Sequence, residues 1–182
     1  RALIEKSGVP IAAPSANISG KPSPTTARAV IEDMEGKIDV IIEGDACDIG
    51  IESTVIDLTG EIPVILRPGG ITLEMIREVL PECTMDKNLF AALGKNEVPR
   101  CPGMKYKHYS PNAKVVVFEP EAADKIPEYI NRYSDKKIAV YCRNNESYPC
   151  ENIKFWGEDA FQMAKNLFED LRMFDIDGVE VI

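Results

Sequence analysis

The segment Pro102-Gly103-Met104-Lys105-Tyr106-Lys107-His108-Tyr109-Ser110-Pro111 constrains the fold most, because it separates two dissimilar stretches of chain. It holds the sole histidine and two of the 6 tyrosines. Prolines bracket it and disfavour a helix there. Charge sets it apart as well. Residues 1–98 carry 9 basic and 16 acidic side chains, and residues 112–182 carry 9 and 14. Residues 99–111 carry Arg100, Lys105 and Lys107 and no acid. A basic, aromatic strap between two acidic bodies suits closure over an anion such as a polyphosphate. An ordinary inter-domain linker is the alternative. The expected division is a first body at residues 1–98, a linker or lid at 99–112, and a second body at 113–182.

Composition excludes several classes. The 45% hydrophobic and 28% charged content is that of a soluble globular protein. No apolar run approaches the roughly 20 residues of a membrane span, so no membrane partner is expected. The net charge of −9 argues against bulk, sequence-independent nucleic-acid binding. Cys47, Cys83, Cys101, Cys142 and Cys150 form no Cys-x-x-Cys pair, and one histidine cannot complete the common zinc sets with them. No metal ligand set is expected from side chains, and the cysteine usage fits a reducing, cytoplasmic setting. The chain opens on Arg1-Ala2-Leu3-Ile4, which reads as mid-helix, and closes on Val179-Glu180-Val181-Ile182, which reads as a strand. Both ends read as cut, so a fragment is expected.

Local patterns predict alternating elements and an α/β fold. Residues 1–7 read as a helix stopped by Gly8. Residues 9–13 and 38–43 are short apolar runs and read as strands, the first of them buried. Ser23-Pro24 reads as a cap and first turn for a helix over 25–34. Residues 53–58 and 63–66 read as strands around Thr59-Gly60-Glu61. Thr72 caps a helix reaching about Leu80. Residues 81–101 show no period and read as loop with a little helix. Beyond the strap, residues 114–119, 137–142, 153–156 and 179–182 read as strands, with helices over 121–133 and 159–174. Phe161, Ala164, Leu167, Phe168 and Leu171 fall at helical spacing in the last. This alternation suggests a small parallel α/β unit.

Three constellations carry polar chemistry. Residues 14–25, Pro-Ser-Ala-Asn-Ile-Ser-Gly-Lys-Pro-Ser-Pro-Thr, follow an apolar run and feed a helix start, where free N–H groups attract anions. The phosphate-loop pattern Gly-x-x-x-x-Gly-Lys-Ser/Thr is absent, and a simple capped loop is the alternative. Ser53-Thr54 at a strand start offers hydroxyls to a ligand or to its own sheet. Arg67, ending an apolar strand, suits phosphate by its fork geometry or pairs with a nearby carboxylate. An unperturbed imidazole titrates near neutrality, so His108 is a candidate acid or base, with a hydrogen-bonded structural residue as the alternative. No nucleophile elbow supports a Ser-His-Asp site.

Together these motifs resemble one family. Residues 10–17, Ser23-Pro24-Thr25, Gly50-Ile51-Glu52-Ser53-Thr54-Val55 and Ile65-Leu66-Arg67-Pro68-Gly69 resemble, in order, the second half of a YrdC-like domain. The strap resembles the linker of the two-domain threonylcarbamoyl-AMP synthases. Leu171-Arg172 and Phe174-Asp175 resemble their C-terminal Rossmann-like domain. The fold implied is a partial YrdC-like α/β domain, an extended linker and a small Rossmann-like parallel α/β domain.

The resemblance implies a nucleotidyltransferase. Its substrates are L-threonine, bicarbonate and ATP, with Mg²⁺ on the phosphates. Its products are threonylcarbamoyl-AMP and pyrophosphate, the first feeding tRNA threonylcarbamoyl-transfer machinery. It implies threonine contacts from Ser15 and Ser53 and ATP contacts from Asn17, Thr25, Arg67 and Tyr106. Lys105 and His108 would belong to a closing lid; no catalytic base is identified. The family's upstream half, with a basic cluster and further threonine contacts, has no counterpart here, so an inactive, incomplete portion is expected. The alternatives are an RNA-binding YrdC-like module and a carbamoyl-transfer domain of a maturation protein. The strap favours the synthase over the latter, and the acidic first body disfavours RNA.

Overall fold

The computed structural model describes residues 2–89, 101, 109–143 and 146–182. Helix α1 spans Ala2–Ser7 and α2 spans Ala27–Met34. Strands β1 (Val55–Asp57) and β2 (Val64–Arg67) precede α3 (Leu73–Arg77) and β3 (Thr84–Met85). Beyond the strap come a 3₁₀ segment at Pro120–Lys125, α4 (Ile126–Arg132), β4 (Ala139–Cys142), β5 (Asn152–Phe155) and α5 (Ala160–Ile176). The architecture is α/β.

In the first part, β2 is the middle of three strands. It pairs antiparallel with β1 and parallel with β3. The β1–β2 turn is set locally: Asp57 Oδ1 accepts from the Thr59 N–H at 2.9 Å and from its hydroxyl at 2.7 Å. Thr72 caps α3 as its position predicts, accepting from the Met75 N–H. Ile65, Ile76 and Cys83 are buried together, with Ile56, Leu73 and Leu80 against them.

Three sequence expectations fail here. Residues 9–13 and 38–43 belong to no strand and are mostly exposed, with Val40 and Ile42 at 72% and 76%. An apolar run becomes a strand only where a neighbour completes its ladder, and none does so among the described residues. The α2 cap is Thr26, accepting from the Ala29 N–H, rather than Ser23. The Ser23 hydroxyl is engaged elsewhere, by Glu52. The stretch after residue 81 includes a strand as well as a 3₁₀ turn, because β3 pairs with β2 over only two residues, too few to show a period.

The second part is parallel throughout. β4 pairs with β5, and isolated bridges join Ile138 and Lys114 to Val181. The Lys114 and Val116 N–H groups donate to the Glu180 and Ile182 carbonyls at 2.9 and 2.8 Å. The extended residues 114–116 thus lie beside the chain end, which lies beside β4. One face buries Ile130, Ile138, Val140, Cys142 and Val181; the other buries Ala113, Ala139, Phe174 and Val179. Asp170 on α5 ties the helix to the sheet, accepting from the Tyr141 hydroxyl at 2.9 Å and facing Lys154 at 3.0 Å. Burial and the adjacent Asp170 charge push the Tyr141 phenol pKa up. No helix among the described residues is long and apolar enough to cross a membrane.

Helix α5 also packs on the first part. Gly50 donates to the Ala164 carbonyl at 3.0 Å and accepts from the Phe168 N–H at 3.3 Å. A Cβ at Gly50 would overlap the Lys165 carbonyl, so only glycine allows this approach. Next to it, Arg172 and Asp33 form a buried bidentate ion pair, 6% and 1% exposed, with both bonds 2.9 Å. Burial by itself would raise the Asp33 pKa. Bonds from Arg172 and the Ile18 N–H, with the Arg172 and Lys21 charges, bring it below the ordinary carboxylate range.

That shift has a consequence in acid. A carboxyl with a folded pKa below its unfolded value of about 3.9 contributes fully above that value and loses its contribution as pH falls further. The melting temperature is expected to fall steeply below about pH 4, and Asp33→Asn to flatten the fall. Melting curves across pH check this; an unchanged acid limb in the variant would assign it to other carboxylates.

Candidate functional site

Three segments distant in sequence meet at the end of β2. The last residue of β2 is Arg67, 17% exposed. Its Nε donates to the Ser53 carbonyl at 3.0 Å, and one terminal nitrogen donates to the Ser53 hydroxyl at 3.1 Å. The same nitrogen lies 3.5 Å from a Glu52 carboxylate oxygen. The other terminal nitrogen donates to the Tyr109 hydroxyl at 3.1 Å. The guanidinium carbon also stands 5.9 Å from the Tyr109 ring centroid.

Backbone sterics explain why Ser53 lies there. A Cβ on Gly69 would overlap Glu52, Ser53 and Thr54 backbone atoms, so the Pro68-Gly69 turn presses against residues 52–54. Thr54 closes the same contact, donating to the Ile71 carbonyl at 2.6 Å. Ser53 and Arg67 are thereby held as a hydroxyl beside a fork-shaped cation.

The 14–25 loop reaches this pair through Ser23, whose hydroxyl bonds the Glu52 carboxylate. Asn17 holds its own loop in shape, donating to the Ile18 and Lys21 carbonyls at 3.1 and 3.2 Å. Ser15 is exposed, and Thr25 is buried with its carbonyl accepting from the Cys47 N–H at 2.8 Å. So Ser53 and Arg67 are brought together directly. No hydrogen bond among the described residues joins Ser15, Asn17 or Thr25 to them.

Residues flanking the undescribed part of the strap meet the third side. Lys105, Tyr106, Lys107 and His108 lie outside the described residues. The residues just after them are in place: Tyr109 on Arg67, and the Ser110 N–H on the Gly20 carbonyl at 3.2 Å. Tyr109 has φ +55°, a left-handed backbone that costs a non-glycine residue on the order of 1–3 kcal/mol. Its ring stacks on Phe168 of α5, centroids 5.9 Å apart. At the other end, the Cys101 thiol bonds the Leu66 carbonyl at 3.6 Å. Burial pushes the Cys101 pKa up, against a lowering by Arg67.

Sequence reasoning missed Glu52, Ser23 and Tyr109 as site residues. Glu52 and Tyr109 stood inside motifs already singled out, but nothing local shows which side chain faces Arg67. No group of three or more metal-ligating side chains occurs among the described residues. The Glu52 carboxylate is engaged by Ser23 and Arg67.

The comparisons bear on this geometry over the whole chain. A family model described as "Threonylcarbamoyl-AMP synthase, C-terminal domain" matches residues 71–182, and one described as "Telomere recombination" matches residues 1–69. The threonylcarbamoyl-AMP synthase of Pyrococcus abyssi is 47% identical, over 99% of this chain and 53% of its own length. That of Bacillus subtilis is 42% identical, over 100% of this chain and 53% of its own. That of Schizosaccharomyces pombe is also 42% identical, over 100% and 48%. The chain spans about half the length of the curated relatives it matches. The crystal structure of P. abyssi Sua5 complexed with L-threonine superposes with a TM-score of 0.88 at 45% identity, covering 99% of this chain and 53% of that one. A family match over more than half the chain and an identity above 40% along its full length agree, and the chain belongs to the threonylcarbamoyl-AMP synthase family.

Proposed function

We propose that this chain carries the threonine- and ATP-contacting face of an L-threonylcarbamoyladenylate synthase, a nucleotidyltransferase. The observation that carries the reading is the Ser53–Arg67 pair at 3.1 Å, in a chain resembling a structure that holds L-threonine. In the proposed reaction the threonine amine adds to bicarbonate and loses water, giving a carbamate. A carbamate oxygen attacks the α-phosphorus of ATP. A new P–O bond forms, the bond to the β-phosphate bridging oxygen breaks, and pyrophosphate leaves.

Little covalent work falls to the protein in such a step; positioning and charge neutralisation dominate. Arg67 would neutralise phosphate charge as it forms, giving up its contact with Glu52. The Ser53 hydroxyl would hold the threonine part close by, and Ser15 would make a second threonine contact. Asn17, Thr25 and Tyr106 would contact the nucleotide, and Mg²⁺ would enter bound to its phosphates. Lys105 and His108 would close over the phosphates with the strap. Exclusion of water is what a hydrolysable acyl-phosphate product demands. The product would pass to the tRNA threonylcarbamoyl-transfer machinery, in the cytoplasm.

The test is pyrophosphate release by the complete gene product with Mg²⁺-ATP. Release is expected to require both threonine and bicarbonate, and an AMP adduct of threonine carbamate should appear by mass spectrometry. ATP hydrolysis indifferent to threonine, or no turnover at all, would overturn the reading.

A further inference from the structure

We propose that Arg172 is a positioning residue for the 14–25 loop, through which the C-terminal unit holds the nucleotide site in its working shape; this rests on the function proposed above. The 14–25 loop is short of regular structure, so something outside it must hold it. Inside it, Lys21 N–H donates to the Ile18 carbonyl at 3.2 Å, closing one turn that Asn17 braces. That turn is anchored to α2 by a bond from the Ile18 N–H to Asp33 Oδ2 at 3.2 Å.

The same Asp33 oxygen accepts from Arg172 at 2.9 Å. The Arg172 guanidinium makes three further bonds to the first part of the chain. They go to Asp33 Oδ1 at 2.9 Å, the Pro22 carbonyl at 3.1 Å and the Ala29 carbonyl at 3.2 Å. Pro22 belongs to the loop and Ala29 to α2, so one fork sets the distance between them. All four acceptors lie at least 139 residues away in sequence.

Arg172 is not placed to bind phosphate itself. The cleft beside it, about 210 Å³, is also lined by Glu32, Asp33 and Asp175, which repel an anion. Its Nε is buried and finds no acceptor among the described residues. Its charge therefore acts within the protein. A lysine would keep the charge but not the planar fork that reaches Pro22, Ala29 and both Asp33 oxygens at once.

Arg172→Met and Arg172→Lys in the complete gene product test this by three readouts: amide hydrogen exchange, steady-state kinetics in ATP, and melting. In Arg172→Met, exchange of the Ile18 and Lys21 amides is expected to quicken about tenfold, with the β2 amides of Ile65 and Leu66 unchanged. The KM for ATP should rise about fivefold or more and kcat should stay within about twofold. Arg172→Lys should recover less than half of either effect. Three results would each overturn the proposal. One is unchanged exchange at Ile18 and Lys21. Another is exchange quickened equally at Ile65, which marks general loosening. The third is full recovery by lysine. A wild-type protein that makes no product would sink the proposed reaction, and the exchange ratio between the loop and β2 would then decide the role of Arg172.

Discussion

Arg67→Ala is expected to lower kcat/KM for ATP by about tenfold to a hundredfold. A charge-assisted bond to phosphate contributes on the order of 1.5–3 kcal/mol, which converts to that range. Stability should change little by comparison, by roughly 1–2 kcal/mol, because the side chain lies at the end of β2 and reaches solvent. Part of that loss comes from Glu52, left without its cation. Arg67→Lys should restore charge but not the simultaneous contacts to Ser53 and Tyr109. Activity should therefore recover only in part. Steady-state kinetics alongside melting curves separate the two roles. Proportional loss of activity and melting temperature would make Arg67 a structural residue, its pair with Ser53 a part of the fold.

Phe174→Ala is expected to be the most damaging single change to stability, at about 3–5 kcal/mol. Phe174 is buried among Ala113, Ala139 and Val179, and its ring meets that of Tyr141 edge-on, centroids 6.0 Å apart. Two of those neighbours are alanines, too small to collapse into the space left. For a chain of this size the melting temperature should drop by roughly 6–20 °C. The damage should spread to the site, because Arg172 and Phe168 lie on the same helix and touch Pro22 and Tyr109. Calorimetry checks the first point, and nucleotide binding during the melt checks the second. A loss under about 1 kcal/mol would show that the aromatic contact is not tightly packed.

Elements written in local chemistry were legible. Helix α5 follows from apolar residues at helical spacing, and the structure adds its cap, Asp159, which accepts from the Gln162 N–H. Thr72 before α3, and β2 as an apolar run ending in arginine, are of the same kind. Residues 9–13 and 38–43 were misread because an apolar run states a preference for burial without naming a partner strand. Ser23 was misread as a cap because its hydroxyl meets Glu52, 29 residues on. The family resemblance carried Ser53 and Arg67 into one site, yet nothing in their spacing of 14 residues requires contact.

The sequence by itself determined the α/β class, the cap of α3, the basic strap and the family. Each rests on residues within a few positions of one another, where backbone geometry and hydrogen bonding act without regard to the rest of the chain. The tertiary structure decided the partners of Arg67, the left-handed Tyr109 between Arg67 and Phe168, and the bond network joining Arg172 to Asp33 and Pro22. Those contacts span from 14 to 150 residues. Over such separations many pairings satisfy the same charges and hydroxyls equally well. The packing of α5 across Gly50, where only a residue without a Cβ fits, is one contact that goes with the pairing observed.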